Sequence, residues 1–248
     1  MDVVLNARRE DRLHDAAEAV RQRGRRAEIV PGDVTDEGIS EEMLSKAYDT
    51  FGRCDAVFAN AGYGAETPVV CMSDESVRRM FEVNFFASLE LVRLAVLRWR
   101  ESESPGHALM CSSCVAKFTL PCYGVYSATK ASQNLVCRAM NSEMRPFGIH
   151  VSSVHPVTTR TEFFEVSARE AGLRHVSGSV PDHAPSMFVQ PHQRVARGIV
   201  KCLRRPTPEV WTSWSVRMAA ALLTAFPRST DLLLRRIRSD GLDQLKSS

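Results

Sequence analysis

Tyr126-Ser-Ala-Thr-Lys130 is the segment whose residue types and spacing could do chemistry. On a helix, positions i and i+4 lie one turn apart on the same face. A free tyrosine titrates near pH ~10. An ammonium held beside it favours the phenolate and lowers that value, so the pair could serve as an acid and base near neutrality. The same spacing also fits a tyrosine packed at a helix start beside a solvated lysine. The surroundings favour the first reading. Ser113 stands thirteen residues before Tyr126, at the end of an expected strand. Asn60-Ala61-Gly62 follows another strand end, and Asn84 lies inside a long helical stretch. The C-terminal ends of strands are where open α/β sheets bind ligands.

The elements that must position these residues alternate along the chain. Short apolar runs at 3–5, 27–30, 55–59, 107–112, 149–154 and 208–212 read as strands. Amphipathic stretches at 10–24, 38–51, 74–101, 123–145, 161–171, 192–204, 215–225 and 229–238 read as helices. Strands separated by helices predict one parallel sheet covered on both faces. Apolar runs such as Ala56-Val-Phe-Ala59 fit strands buried on both sides.

Composition excludes several classes. The chain has 248 residues, 44 % hydrophobic and 25 % charged, which speaks against disorder, collagen and coiled coil. A net charge of +3 argues against a nucleic-acid partner. Residues 192–248 carry 11 basic and 4 acidic side chains, so the charge is concentrated at the C-terminal end. Seven scattered cysteines suit a reducing, cytoplasmic setting better than a disulfide framework. Cys111-x-x-Cys114 lacks two further ligands, so no metal site is expected. The charged N-terminus does not read as a signal peptide, and no apolar run reaches the ~20 residues of a spanning helix.

The chemistry-bearing residues, taken together, resemble the short-chain dehydrogenase/reductase family. The matching segments are Asp33-Val34, Asn60 to Gly64, Val83-Asn84, Ser112-Ser113, Tyr126 to Lys130 and Pro156 to Thr161, in family order. The resemblance implies a Rossmann-like doubly wound parallel sheet over residues 1–213, followed by a helical extension over 214–248. It also implies roles. Tyr126 would exchange a proton with the substrate oxygen, Ser113 would hydrogen-bond that oxygen, and Lys130 would hold the nicotinamide ribose and depress the tyrosine pKa. Asn84 would place a water in a relay to Lys130. Asp33 and Val34 would meet the adenine, Asn60, Ala61 and Gly62 the ribose, and Pro156, Thr159 and Thr161 the carboxamide and phosphates. Arg8 and Arg9 come just after the first strand, and Arg8 would favour NADP over NAD by pairing with a 2′-phosphate. The implied reaction is hydride transfer between a hydroxyl and a carbonyl on a small alcohol or ketone, by a homodimer or homotetramer.

Two departures qualify that picture. The family's opening strand and Gly-x-x-x-Gly-x-Gly turn have no counterpart, so a first βα unit is expected to be absent, the fold N-terminally truncated, and the strands at 3–5 and 27–30 left without a neighbour in the rest of the sheet. A catalytically impaired relative kept as a binding or regulatory module is the rival reading. Val157 stands where the family usually has glycine, and a β-branched residue resists positive φ. Residues 163–192 are expected to cover the substrate. Trp211 to Arg238 mixes apolar residues at helical spacing with arginines, as an interfacial, membrane-associated helix would; packing on the main domain explains the pattern equally well.

Overall fold

The computed structural model describes residues 1–159, 189–228 and 230. The strands are β1 (Val3–Ala7), β2 (Ala27–Pro31), β3 (Ala56–Ala59), β4 (Gly106–Cys111), β5 (Ile149–His155) and β6 (Glu209–Trp211). The helices between and after them are α1 (Glu10–Arg21), α2 (Ile39–Phe51), α3 (Asp74–Phe81), α4 (Ala87–Glu101), α5 (Gly124–Met144), α6 (His192–Arg204) and α7 (Trp214–Ala225).

Local chemistry sets these boundaries. α1 opens with Glu10 and Asp11 and closes with Arg21, complementing the helix dipole at both ends, and it buries Leu13 and Ala17 one turn apart. α2 is bracketed by Gly38 and Gly52, both in the left-handed region that glycine adopts without strain. Ser73 caps α3 by accepting the Ser76 N–H at 3.2 Å. Between α3 and α4 the chain makes a π-helical turn, Glu82–Phe86, so the stretch expected as one helix is continuous but widened in its middle. Such single π turns concentrate at functional sites.

β3, β4, β5 and β6 form a parallel sheet in that order. Its two faces are covered, as a doubly wound fold requires. On one face Val57, Met110, Ile149 and Val151 pack with Val92, Val96 and Trp99 of α4 and with Cys137 of α5. On the other, Leu109, Val154 and Val210 pack with Cys202, Ile199 and Val195 of α6. Trp99 is nearly fully buried and donates its indole N–H to Cys54 O at 2.6 Å. Its ring lies against Gly106, where any Cβ would collide with it, so glycine is required at the entry to β4.

β1 and β2 form a separate two-stranded parallel ladder. The strands at 3–5 and 27–30 were expected to lack a neighbour in the rest of the sheet, and among the described residues no strand pairs with the edge of β1 or of β3 that faces away from its partner. The chain enters the fold on a strand at Val3, which does not support the expected N-terminal truncation. The two ladders nevertheless run the same way. Arg26, just before β2, bonds the Asp2 carboxylate before β1 and the Thr50 carbonyl shortly before β3, gathering the strand starts. At the opposite end, Arg79 of α3 reaches Asp33 just after β2.

α7 docks on the main body. Val216 and Ala220 are buried, and Thr224 Oγ1 donates to Lys117 O at 2.8 Å. Trp214, Met218 and Leu222 form an exposed stripe. No described helix is long and apolar enough to cross a membrane. The expected helices at 161–171 and over most of 229–238 lie outside the described residues.

Candidate active site

β4 ends at Cys111, and its next residues turn into the site. Ser113 is extended and caps a short 3-10 turn, accepting the Val115 N–H at 3.4 Å. Tyr126 lies in the first turn of α5, and its hydroxyl hydrogen-bonds the Ser113 side chain. Lys130 follows one turn later. Its Nζ donates to Cys111 O at 2.8 Å and Gln133 Oε1 at 3.2 Å, and lies 5.7 Å from the centre of the Tyr126 ring. Ser112 Oγ returns a bond to Lys130 O at 2.8 Å, so strand end and helix are stapled from both sides. Ser113, Tyr126 and Lys130, read from the sequence as one unit, are thus brought together at a strand end.

The electrostatics correct one expectation. Burial raises the Tyr126 pKa above its ordinary value, outweighing the Ser113 hydrogen bond that lowers it. Burial also lowers the Lys130 pKa. The Lys130 ammonium is engaged by the Cys111 carbonyl and Gln133, and here it does not bring the tyrosine down. In this environment Tyr126 is a neutral phenol and a hydrogen-bond donor.

Asn84, in the π turn, is fully buried behind the cavity wall. Its Oδ1 accepts the Tyr63 N–H at 2.9 Å, and its Nδ2 donates to Tyr63 O at 2.8 Å and Thr129 Oγ1 at 3.0 Å. Its backbone carbonyl accepts from Gln133 Nε2 at 2.6 Å. Gln133, which sequence reading missed, therefore links the π turn to Lys130; its position three residues after Lys130 on the same helix face was the available signal. Gly62 sits against this cluster. A Cβ there would stand 3.0 Å from Asn84 Oδ1 and 3.1 Å from Lys130 Nζ.

A second unnoticed residue braces Ser113 from behind. His155, at the end of β5, has Nδ1 2.9 Å from Ser113 O. A carbonyl only accepts, so Nδ1 carries the proton and Nε2 faces the Ser153 hydroxyl at 2.9 Å. The imidazole stacks on Trp211 at 4.6 Å, and burial lowers its pKa to about 4, so it is neutral at pH 7.

These groups open into a cavity of 2520 Å³ that also receives Arg8, Asp33, Val34, Asn60, Ala61, Gly62, Pro156 and Thr159. Asp33 accepts from Thr35 N and Oγ1, pairs with Arg79 at 2.7 Å and stands 3.9 Å from Arg8. These bonds and charges hold its carboxyl below the usual range despite burial. Arg9, which follows Arg8 after the first strand, lines the same cavity, as do Arg12 and Arg79, which were not singled out from sequence. Thr159 accepts from Gln190 Nε2 at 3.2 Å and donates to Val157 O at 2.7 Å. Val157 is buried without positive φ, so the loop accommodates its β-branch. Thr161 and most of the expected substrate cover lie outside the described residues. Phe118, Leu120, Leu222 and Leu223 supply an apolar wall instead.

The residues present that suit a dinucleotide are the arginines lining the cavity, Gly62, where a Cβ would crowd Lys130, and Ser113 with Tyr126; the family's Gly-rich turn has no counterpart among the described residues. The chain is similar to a diacetyl reductase of Staphylococcus epidermidis, 26 % identical over 164 residues, which is 66 % of this chain and 64 % of that protein. It is also similar to an uncharacterized oxidoreductase of Schizosaccharomyces pombe, 30 % identical over 131 residues, 53 % of this chain and 55 % of the relative. The chain thus spans somewhat more than half the length of these curated relatives. Two solved structures share the fold. One is a short chain dehydrogenase/reductase from Burkholderia phymatum in complex with NAD (TM-score 0.77, 19 % identity, 97 % of this chain and 88 % of that one). The other is a short-chain dehydrogenase from Sphingobium yanoikuyae in complex with NADPH (TM-score 0.73, 23 % identity, 96 % and 87 %). The family model for short chain dehydrogenases matches residues 1–171, and with the Ser113, Tyr126 and Lys130 arrangement in place, this chain belongs to the short-chain dehydrogenase family.

Proposed function

We propose that the protein is an oxidoreductase that uses NADP(H) to interconvert a hydroxyl and a carbonyl on a small apolar substrate. The observation that carries this reading is the Tyr126–Ser113 hydrogen bond at the end of β4, one helical turn from Lys130 and open to the cavity. A nicotinamide cofactor, when bound, supplies or accepts the hydride. The chain's own residues do the rest. Ser113 Oγ positions the substrate oxygen, an oxyanion-type contact. Tyr126, kept neutral by burial, donates its hydroxyl proton to that oxygen as negative charge develops, which suits the reductive direction. Lys130 Nζ, beside Gly62, would hold a ribose hydroxyl. The preference for NADP rests on Arg8, Arg9 and Arg12, which line the cavity. The apolar substrate class rests on Phe118, Leu120, Leu222 and Leu223. An intact proton-transfer pair argues against the rival reading of an impaired binding module. Membrane association rests only on the exposed Trp214, Met218 and Leu222 stripe, and vesicle co-sedimentation tests it.

NADPH oxidation with small diketones and alkyl ketones tests the reading. The Tyr126→Phe variant should lower kcat by about two to four orders of magnitude while NADPH affinity stays nearly constant, because the hydroxyl acts in the transition state. Retention of most activity would overturn the assignment of Tyr126 as the proton donor.

A further inference from the structure

Ser113 and Tyr126 meet within a hydrogen bond, yet they stand on different elements, Ser113 on the turn after β4 and Tyr126 on α5. The residues that set their separation lie behind the turn, on β5 and β6. Three ties reach the turn from that side. His155 Nδ1–H donates to Ser113 O at 2.9 Å. Beside it, Cys114 N–H donates to Pro156 O at 3.1 Å. Further along, Lys117 Nζ pairs with Glu209 Oε1 at 2.6 Å.

His155 is the centre of this frame. It is fully buried and lines no part of the cavity. Its Nε2 meets Ser153 Oγ at 2.9 Å, and Ser153 Oγ meets the side-chain amide of Asn134 at 3.2 Å. Asn134 lies on α5, one turn after Lys130. One imidazole thus connects the Ser113 turn to the helix that carries Tyr126. Its ring plane is fixed as well. Trp211 stacks on it at 4.6 Å with the planes 10° apart, and the Trp211 indole N–H donates to Glu209 Oε2 at 2.9 Å. A single carboxylate therefore holds the turn through Lys117 and the imidazole through Trp211. A buried ring bonded at both nitrogens and stacked on a third side keeps one orientation. The spacing it enforces bears on rate, because a misplacement of ~1 Å between reacting groups can cost about a hundredfold.

We propose that His155 is a positioning residue for the reaction: its Nδ1–H fixes the Ser113 turn and so holds Ser113 Oγ on the Tyr126 hydroxyl, with Trp211 and Glu209 steadying its ring. It moves no proton and meets no substrate. The inference rests on the oxidoreductase reading of this site. A histidine that only filled the core would differ in one respect. Packing needs the ring; positioning needs the proton on Nδ1.

Two substitutions separate the ring from the proton. Asparagine carries its Nδ2 where histidine carries Nδ1, so His155→Asn keeps a donor for Ser113 O and gives up the stack on Trp211. His155→Phe keeps the stack and gives up the donor. With NADPH and an alkyl ketone, His155→Phe should lower kcat by about tenfold to a hundredfold with the KM for NADPH changed less than about twofold, and His155→Asn should keep kcat within about threefold of the parent. The order of kcat should follow the donor and not the unfolding free energy of each variant in urea. Nitrogen NMR of the imidazole reads the tautomer without turnover, and at pH 7 the proton is expected on Nδ1. Three results overturn the role of His155 alone: a higher kcat in the phenylalanine variant than in the asparagine one, equal losses in both, or a proton on Nε2 with Nδ1 bare. An Nδ1–H tautomer in a parent chain that turns over no ketone or diketone with NADPH would instead overturn the oxidoreductase reading, and the role of His155 with it.

Discussion

Tyr126 and Lys130 show how burial and charge compete at a single site. The sequence spacing alone predicts a tyrosine with a lowered pKa, because an ammonium one turn away favours phenolate. In the fold the ammonium is committed to Cys111 O and Gln133, and burial raises the tyrosine instead. The cofactor end of the site shows a comparable division of labour. Arg79 is tied to Asp33 and Thr35 at 2.7 Å each, whereas Arg8 is 3.9 Å from Asp33 with its side chain largely exposed. An exposed pair at that distance is worth little, so Arg8 keeps its capacity to pair with a phosphate. Arg8→Glu should therefore raise the KM for NADPH by about tenfold or more and leave that for NADH within a factor of about three; steady-state kinetics with both cofactors reads this directly. Equal losses for the two would make Arg8 a structural residue. Ser113, Tyr126 and Lys130 were legible because their types and intervals are distinctive. Arg79, Gln133 and His155 were not, since an arginine, a glutamine and a strand-end histidine acquire meaning only from what folding sets beside them.

At the scale of elements, the π turn between α3 and α4 does work that neither helix could do alone. It directs the Asn84 side chain onto the loop after β3, where it satisfies both the N–H and the C=O of Tyr63, and it offers the Asn84 carbonyl to Gln133 of α5. Three segments are fixed by one side chain. Asn84→Leu keeps the approximate size but strands two backbone groups and the Thr129 hydroxyl contact. A loss of about 2–4 kcal/mol in unfolding free energy is expected, since each buried unsatisfied group costs roughly 1–3 kcal/mol. Urea denaturation checks the value, and a change below about 0.5 kcal/mol would mean that the loop satisfies itself another way. Sequence reading set most strand and helix limits within a few residues, because period and punctuation by glycine and proline are local signals. The π turn escaped it, since Glu82–Phe86 continues the helical pattern and the extra backbone residue is demanded by the tertiary contact of Asn84, not by local propensity.

For the whole molecule, the parallel arrangement and two-faced cover were readable from alternation, and the division of the sheet between β1 and β3 from the lack of a counterpart to the family's first strand. Strand direction and order follow from local runs; which edges meet does not. Stability against acid is likewise a property of the assembled core. His107, at the start of β4, and His155, at the end of β5, are both buried, and burial lowers the pKa of each to about 4 from an ordinary 6.5. A base whose folded pKa is depressed binds fewer protons folded than unfolded between those two values. Stability therefore rises with pH across that window and falls on acidification from about 6.5 toward 4, at about 1.4 kcal/mol per pH unit for each histidine. Glu209 acts lower. Its bonds from Lys117 and Trp211 hold its pKa at about 2 despite burial, so its contribution, present above 4.5, is lost only as pH falls from there. The two groups of residues thus act in successive windows. His107 is the better handle, because its ring contacts Ser152 through Nε2 at 2.8 Å and none of the catalytic residues. His107→Gln retains a polar group near Ser152 and removes one titration. Urea unfolding at pH 7, 6 and 5 should show the stability of the parent chain declining at nearly two protons' slope from these sites, and that of the variant at close to one. An unchanged slope in the variant would show that His107 is protonated in the folded state over this range and that the acid sensitivity arises elsewhere.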